Sequence, residues 1–150
     1  MFIEAENIRK SYGRKTTVLN GASFHAASGE YIAIVGANGC GKSTLLEILA
    51  GSLKADGGSL KIDGIDAFAD ALVFQKYIGF VPQENPLMEK LSVRDNHKFW
   101  YCDTGRNMEA DLQGGVPAVL GVSGYLEKRV DKLSGGMKKR LSICCALAKN

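Results

Sequence analysis

The sequence predicts an α/β fold in which a buried strand feeds a phosphate-binding loop and the loop feeds a helix. Three consecutive observations predict it. Tyr31-Ile32-Ala33-Ile34-Val35 is an apolar run rich in β-branched residues and bounded by glycines, the pattern of a strand covered on both faces, as in a parallel sheet. Gly36-Ala37-Asn38-Gly39-Cys40-Gly41-Lys42-Ser43-Thr44 follows at once and fits the pattern GxxxxGK[ST], with Gly36, Gly41, Lys42 and Ser43 at its fixed places. Leu45, Leu46, Ile48 and Leu49 then fall at helical spacing until Gly51 stops the helix.

The other elements can be placed around this unit in chain order. Phe2 to Ile8 alternates imperfectly and predicts a strand running to a turn at Ser11-Tyr12-Gly13, and Ala22 to Ala26 predicts a second strand closed by Ser28-Gly29. Gly58 to Gly64 predicts a hairpin, and Ile78-Gly79-Phe80-Val81 predicts a further apolar strand ending at Pro82-Gln83. From about residue 84 the sequence becomes charged and helix-permissive, with a looser glycine-rich patch at 103–117. The last 15 residues, opened by Leu133-Ser134-Gly135-Gly136, predict a helix with Leu141, Cys144, Cys145 and Ala148 near one face.

Composition narrows the classes. At 150 residues the chain allows one domain and little more; 45% apolar and 23% charged residues make it globular rather than disordered. No apolar run approaches the ~20 residues needed to cross a bilayer, and the first residues lack a basic start and an apolar signal core; a soluble, cytoplasmic chain is expected. Residues 1–125 carry a net charge of −2 and residues 126–150 a net of +5. One basic terminal stretch behind a neutral body does not make a nucleic-acid-binding face, and no nucleic-acid partner is expected. Cys40, Cys102, Cys144 and Cys145 have no CxxC or Cys/His spacing, and His25 and His97 stand alone. They are expected to be reduced thiols and ordinary packing or surface residues, with no metal site among them.

The chemistry lies in two helix starts. A polyphosphate must be met by many donors at once. Small residues from Gly36 to Gly41 let backbone N–H groups curl around a phosphate, the absent side chain of Gly41 is expected to avoid a collision with it, and the helix beginning near Lys42 offers its positive end. Lys42 can reach the β- and γ-oxygens, and the Ser43 hydroxyl can join the shell of a Mg²⁺ ion. The second start is Leu133-Ser134-Gly135-Gly136-Met137. A serine N-cap followed by two glycines is common by itself, yet it repeats the first theme of a hydroxyl, bare N–H groups and a helix N-terminus. A nucleotide held between two faces is the simplest reading of both.

Taken in order, these residues resemble the nucleotide-binding domain of ABC (ATP-binding cassette) transporters along the whole chain. Tyr12 matches the aromatic that stacks on adenine, residues 36–44 match the phosphate loop, and Gln83 matches the glutamine that touches Mg²⁺ and attacking water. Ser134-Gly135-Gly136, within Leu133 to Met137, match the signature sequence, with Arg140 at the family offset, and Leu91-Ser92-Val93-Arg94-Asp95 looks like the start of the helical subdomain. The resemblance implies a P-loop NTPase with a RecA-like core, an antiparallel β subdomain and a helical subdomain, incomplete at its C-terminus. It implies residues 1–83 as β subdomain and phosphate-loop part of the core, 84–133 as helical subdomain, and 133–150 as signature motif and helix. It also implies ATP and Mg²⁺ as ligands and Lys42 and Gln83 as catalytic residues. The implied assembly is a head-to-tail homo- or heterodimer, docked on separate membrane subunits at the cytoplasmic face of the cell membrane.

In the family an apolar strand ending in an aspartate and a catalytic glutamate follows, and later a histidine; nothing follows Asn150. Positioned proton transfer contributes roughly 10²–10⁴-fold to rate, so these 150 residues are expected to bind nucleotide and hydrolyse it negligibly, and to leave the strand at 32–35 open along its edges. A non-catalytic remnant and a soluble cassette protein acting on ribosomes or DNA are the alternatives. Met137-Lys138-Lys139-Arg140 looks more like exporter cassettes than the glutamine-containing form frequent in importers.

Overall fold

A computed structural model describes residues 1–13, 16–84, 87–102 and 104–148. The first residue of the glycine-rich patch and the last two of the expected terminal helix lie outside the described residues. The chain divides into two compact units, Met1–Ile78 and Gly79–Asn150.

The first unit is built on a four-stranded antiparallel sheet in the order β2-β1-β3-β4, from β1 (Phe2–Tyr12), β2 (Thr16–Ala27), β3 (Gly57–Ile62) and β4 (Ile65–Asp66). The imperfect alternation of β1 has a local cause. Ala5 is buried, the register then slips, and Asn7 takes a positive φ of 50°, so that Ile8 rather than Asn7 turns into the core. Gly58 sits opposite this bulge, where a Cβ would lie 2.5 Å from the carbonyl oxygens of Glu6 and Asn7. The β3–β4 turn is Asp63-Gly64 with both φ values positive, 49° and 80°, the type I′ pairing that matches the twist of a hairpin. Helix α1 (Lys42–Leu49) buries Leu45 and Ile48, and the short α2 (Leu72–Tyr77) buries Val73. They join Ala5, Ile8, Leu19, Leu60, Ile62 and Ala67 in one core. Each fully buried Ile or Leu stabilises this unit by about 1.5–3 kcal/mol relative to exposure.

The second unit is helical. It contains α3 (Val93–Tyr101), α4 (Met108–Gly114), α5 (Val116–Val119), two 3₁₀ turns at Val122–Tyr125 and Val130–Lys132, and α6 (Gly135–Leu147). Ser92 caps α3: its hydroxyl accepts from the Asp95 amide at 3.0 Å and donates to the Asp95 carboxylate at 2.6 Å, a serine N-cap steadied by the acid of the first turn. Arg94 is held by Glu127 at 2.9 Å and Glu109 at 2.7 Å. Val93, Val122, Val130, Leu133, Leu141, Cys144 and Cys145 form the core, and Ala148, on the expected face of α6, is buried too.

Two expected strands are absent and one loose segment is helical. Tyr31 to Val35 has no ladder partner among the described residues; Tyr31 is fully exposed and Val35 is 86% exposed, while Ile34 alone packs on the core. An apolar run is competent to be a buried strand, but a strand exists only where another chain segment supplies the hydrogen bonds, and the four strands here pair among themselves. Residues 78–81 likewise form no strand of the sheet among the described residues. The glycine-rich patch, by contrast, holds α4 and α5, because Asn107 caps α4 by accepting from the Ala110 amide at 3.2 Å and Pro117 sits in the first turn of α5. Among the described residues no helix is long and apolar enough to cross a membrane.

Candidate functional site

Residues 36–41 form an exposed loop that leads directly into α1. Three of its glycines take φ values inaccessible to most side chains at low energy, 159° at Gly36, 81° at Gly39 and 97° at Gly41. The loop is drawn together by its own residues. The Cys40 amide donates to the Ala37 carbonyl at 3.3 Å, and the Cys40 sulfur lies where a Cβ on Gly36 would stand 2.7 Å away. Lys42 completes the closure: its ammonium donates to the carbonyls of Gly36 at 2.9 Å and Ala37 at 2.8 Å. The cation therefore spans the loop from its helical end back to its first residues, held by two charge-assisted hydrogen bonds.

Gly41 is required for a reason beyond the one the sequence suggests. A Cβ there would meet side-chain carbons of Leu19 and Val18 at 2.9 Å and the Val18 carbonyl at 3.0 Å. The glycine thus lets the loop lie flat against β2, and the collision it avoids is with the sheet. Leu19 and Val18 are the floor of the site, which no loop pattern could reveal.

The start of α1 suits an anion. Gly41 is its N-cap without a side-chain capping bond, and the first turn holds no acidic residue. Its first N–H groups are consequently available to a ligand. Ser43 is exposed at the second helical position, Asn38 and Gly39 sit at the exposed crown, and Thr44 is half-buried. A phosphate chain and a hard divalent cation fit this donor set: backbone N–H groups and an ammonium for the oxygens, a hydroxyl for the metal. Tyr12 ends β1 at the same edge. It pairs with Thr16 and is 48% exposed; Thr16 is two residues, roughly 7 Å of strand, from Val18.

The remaining expected residues lie in the second unit. Ser134 is the N-cap of α6, its hydroxyl accepting from the Met137 amide at 3.3 Å. Gly135 and Gly136 are exposed, with no atom within 4 Å of where a Cβ would point, so the helix start is open on that side. Leu133 is buried beneath it, the Tyr125 hydroxyl donates to the Met137 carbonyl at 3.4 Å, and Arg140 reaches the Leu120 carbonyl at 3.5 Å. Gln83 is exposed in the irregular segment after Pro82. The helix starts at Lys42 and at Gly135 thus lie in different units of the chain.

Three residues near these groups were not singled out by the sequence. Asn96 is fully buried; its side chain accepts from the Met88 amide at 2.9 Å and donates to the carbonyls of Met88 at 3.1 Å and Ser92 at 3.0 Å. Lys138 pairs with Glu89 at 2.8 Å and Lys139 donates to the Pro82 carbonyl at 2.9 Å. Asn96 left a signal, since with His97 it puts polar side chains on the face that Val93 and Tyr101 bury; the lysines left none, because their partners are 49 and 57 residues away.

Comparison with known proteins shows the family. The family model for ABC transporters matches residues 19–150. The chain is 35% identical over 148 residues to the linearmycin resistance ATP-binding protein LnrL of Bacillus subtilis, covering 97% of this chain and 47% of that protein. It is 38% identical to the Nod factor export ATP-binding protein I of Paraburkholderia xenovorans, covering 97% and 48%. The sulfate/thiosulfate import ATP-binding protein CysA 1 of Chromobacterium violaceum is also 38% identical, covering 99% and 42%. The chain thus spans about half the length of the curated relatives it matches. Among solved structures it is similar to the dimeric MJ0796, a bacterial ABC transporter cassette, with TM-score 0.82 and 26% identity over 98% of this chain and 69% of that one. It is likewise similar to the post-hydrolysis dimer of MJ0796 bound to ADP and Pi, with TM-score 0.81 and 25% identity over the same shares.

Proposed function

Because the chain belongs to the ABC transporter family, as an ATP-binding cassette of P-loop NTPase fold, we propose that it binds Mg·ATP between residues 36–44 of one protomer and Ser134-Gly135-Gly136 of another. The whole protein then uses that event to drive transport through separate membrane subunits at the cytoplasmic face of the membrane. The observation that carries the reading is the closed loop at 36–41 with the Lys42 ammonium spanning it at 2.9 and 2.8 Å.

On this reading each residue has one task. Tyr12 supplies an aromatic face for the base. The N–H groups from Gly36 to Thr44, through Ala37, Asn38, Gly39, Cys40 and Gly41, wrap the phosphates, and Lys42 leaves its two carbonyls to meet the more highly charged oxygens. Ser43 and Gln83 hold Mg²⁺, which when bound neutralises phosphate charge. Ser134, Gly135 and Gly136 present a second positive helix end from the partner protomer, so ATP adds contacts only in the paired state and shifts the population toward it. Residues 1–83, 84–133 and 133–150 serve as loop-bearing unit, helical subdomain and signature segment of this arrangement.

Titration with a fluorescent ATP analogue in Mg²⁺ tests the proposal. Saturable binding is expected, and Lys42→Ala should weaken it at least about tenfold, the size of one or two charge-assisted contacts. Absence of binding by the full-length protein, or equal binding by Lys42→Ala, refutes the reading.

A further inference from the structure

The second unit holds Gln83 in an unusual way. Downstream of it, residues 88–91 are fixed from two sides. The buried Asn96 side chain clamps both polar groups of Met88, while the amides of Val130 and Asp131 donate to the carbonyls of Leu91 at 3.0 Å and Glu89 at 2.9 Å. Immediately upstream, the Pro82 carbonyl accepts from the Lys139 ammonium at 2.9 Å. That carbonyl belongs to the same planar peptide unit as the Gln83 N–H. A cation bonded to it therefore fixes the plane from which the Gln83 side chain departs.

Lys138 and Lys139 are adjacent in the first turns of α6 and reach to opposite ends of this segment. Lys138 is tied to Glu89, in the part that Asn96 and residues 130–131 already hold. Lys139 is tied to Pro82, beside Gln83. The helix that carries both lysines begins at Ser134. We propose that Lys139 is a positioning residue: it couples the orientation of Gln83 to the helix that starts with Ser134-Gly135-Gly136, so that a ligand pressing on that helix start also adjusts the glutamine. The proposal rests on the Mg·ATP reading given above. Lys138 is the internal control, because it has the same charge on the same helix but ends on a segment with other anchors.

Lys139→Met keeps the length of the side chain and removes its donors, Lys139→Arg restores donors, and Lys138→Met breaks only the ion pair with Glu89. In ¹⁵N-labelled protein the Gln83 backbone amide resonance should shift in Lys139→Met, return toward its original place in Lys139→Arg, and stay put in Lys138→Met. In the full-length protein assembled with its transport partners, the Mg²⁺ concentration for half-maximal ATP turnover should rise about two- to fivefold in Lys139→Met only, the range one exposed charged hydrogen bond can supply. An unmoved Gln83 amide in Lys139→Met, or an equal shift in Lys138→Met, overturns the tether. A shifted amide with unchanged Mg²⁺ dependence overturns its coupling to the metal. If the parent protein neither binds nor turns over ATP, the functional reading fails while the amide result still decides the tether.

Discussion

Replacing His97 with Phe should remove an acid sensitivity that the fold carries in its second unit. His97 is fully buried on α3, and neither ring nitrogen has a hydrogen-bond partner among the described residues. Its ring packs edge-on against Tyr101 at a centroid distance of 5.7 Å. Burial pushes the imidazole pKa below its usual 6.5, an effect the Asp111 carboxylate partly offsets. Asp111 cannot offer a full counter-charge, since it already accepts from the Tyr101 hydroxyl at 2.7 Å and from Arg106 at 2.8 Å. The sign follows. Above pH 6.5 both folded and unfolded chains hold His97 neutral, and stability is complete; as pH falls from 6.5 through the lowered folded value, only the unfolded chain takes the proton. Stability is then lost with a slope of at most about 1.4 kcal/mol per pH unit. Phe keeps the ring contact with Tyr101 and eliminates both nitrogens, each of which costs about 1–3 kcal/mol when buried unpaired. Urea unfolding of both proteins between pH 7.5 and 5 isolates the term as the difference between them, since other titrating groups are common to both. The variant should be less acid-sensitive than its parent throughout that window. Parallel pH profiles, or a parent that grows relatively more stable in acid, would refute the argument.

Two further outcomes follow from the loop and from the thiols. Gly41→Ala should lower stability by about 2–4 kcal/mol, combining left-handed strain with overpacking against Val18 and Leu19, whereas Gly39→Ala, whose Cβ meets nothing within 4 Å, should cost only about 1–2 kcal/mol; melting temperatures of the two variants decide it, and equal shifts would show that β2 is not the obstacle. In native protein at pH 8 a thiol reagent should titrate the exposed Cys40 and Cys102 and spare Cys144 and Cys145, whose thiols burial pushes up to about 11 and about 12. Mg·ATP should slow the reaction at Cys40 alone, and four thiols reacting at equal rates would contradict the packing of α6.

The parts of the fold that could be read from sequence are those whose signals are local. The phosphate loop and α1 follow from nine contiguous residues and the apolar spacing after them. The start of α6 follows from Ser134, whereas Leu91 to Asp95, where α3 begins, stood out only through the family resemblance. Burial of Leu141, Cys144, Cys145 and Ala148 follows from helical periodicity. Non-local facts were not legible. The length of β2, Thr16–Ala27, is set by pairing with a bulged partner rather than by its own composition. Residues 31–35 carry the composition of a covered strand, but composition states only what a segment tolerates and not what lies beside it. For Gly41 one reason was not legible, because that obstacle is a strand more than 20 positions earlier. The reach of Lys139 to Pro82 depends on how α6 packs, which no spacing rule encodes.

The uncovered run from Tyr31 to Val35 and the loop it enters share one backbone, so freedom in the first is inherited by the second. Gly36, whose carbonyl receives Lys42, is bonded directly to Val35. Any element that came to lie along 31–35 would stiffen the mouth of the loop and, by thermodynamic reciprocity, would be gripped harder once phosphate was in place. If the loop takes nucleotide as proposed, cover over that greasy ribbon and appetite for the ligand would be two readings of a single equilibrium.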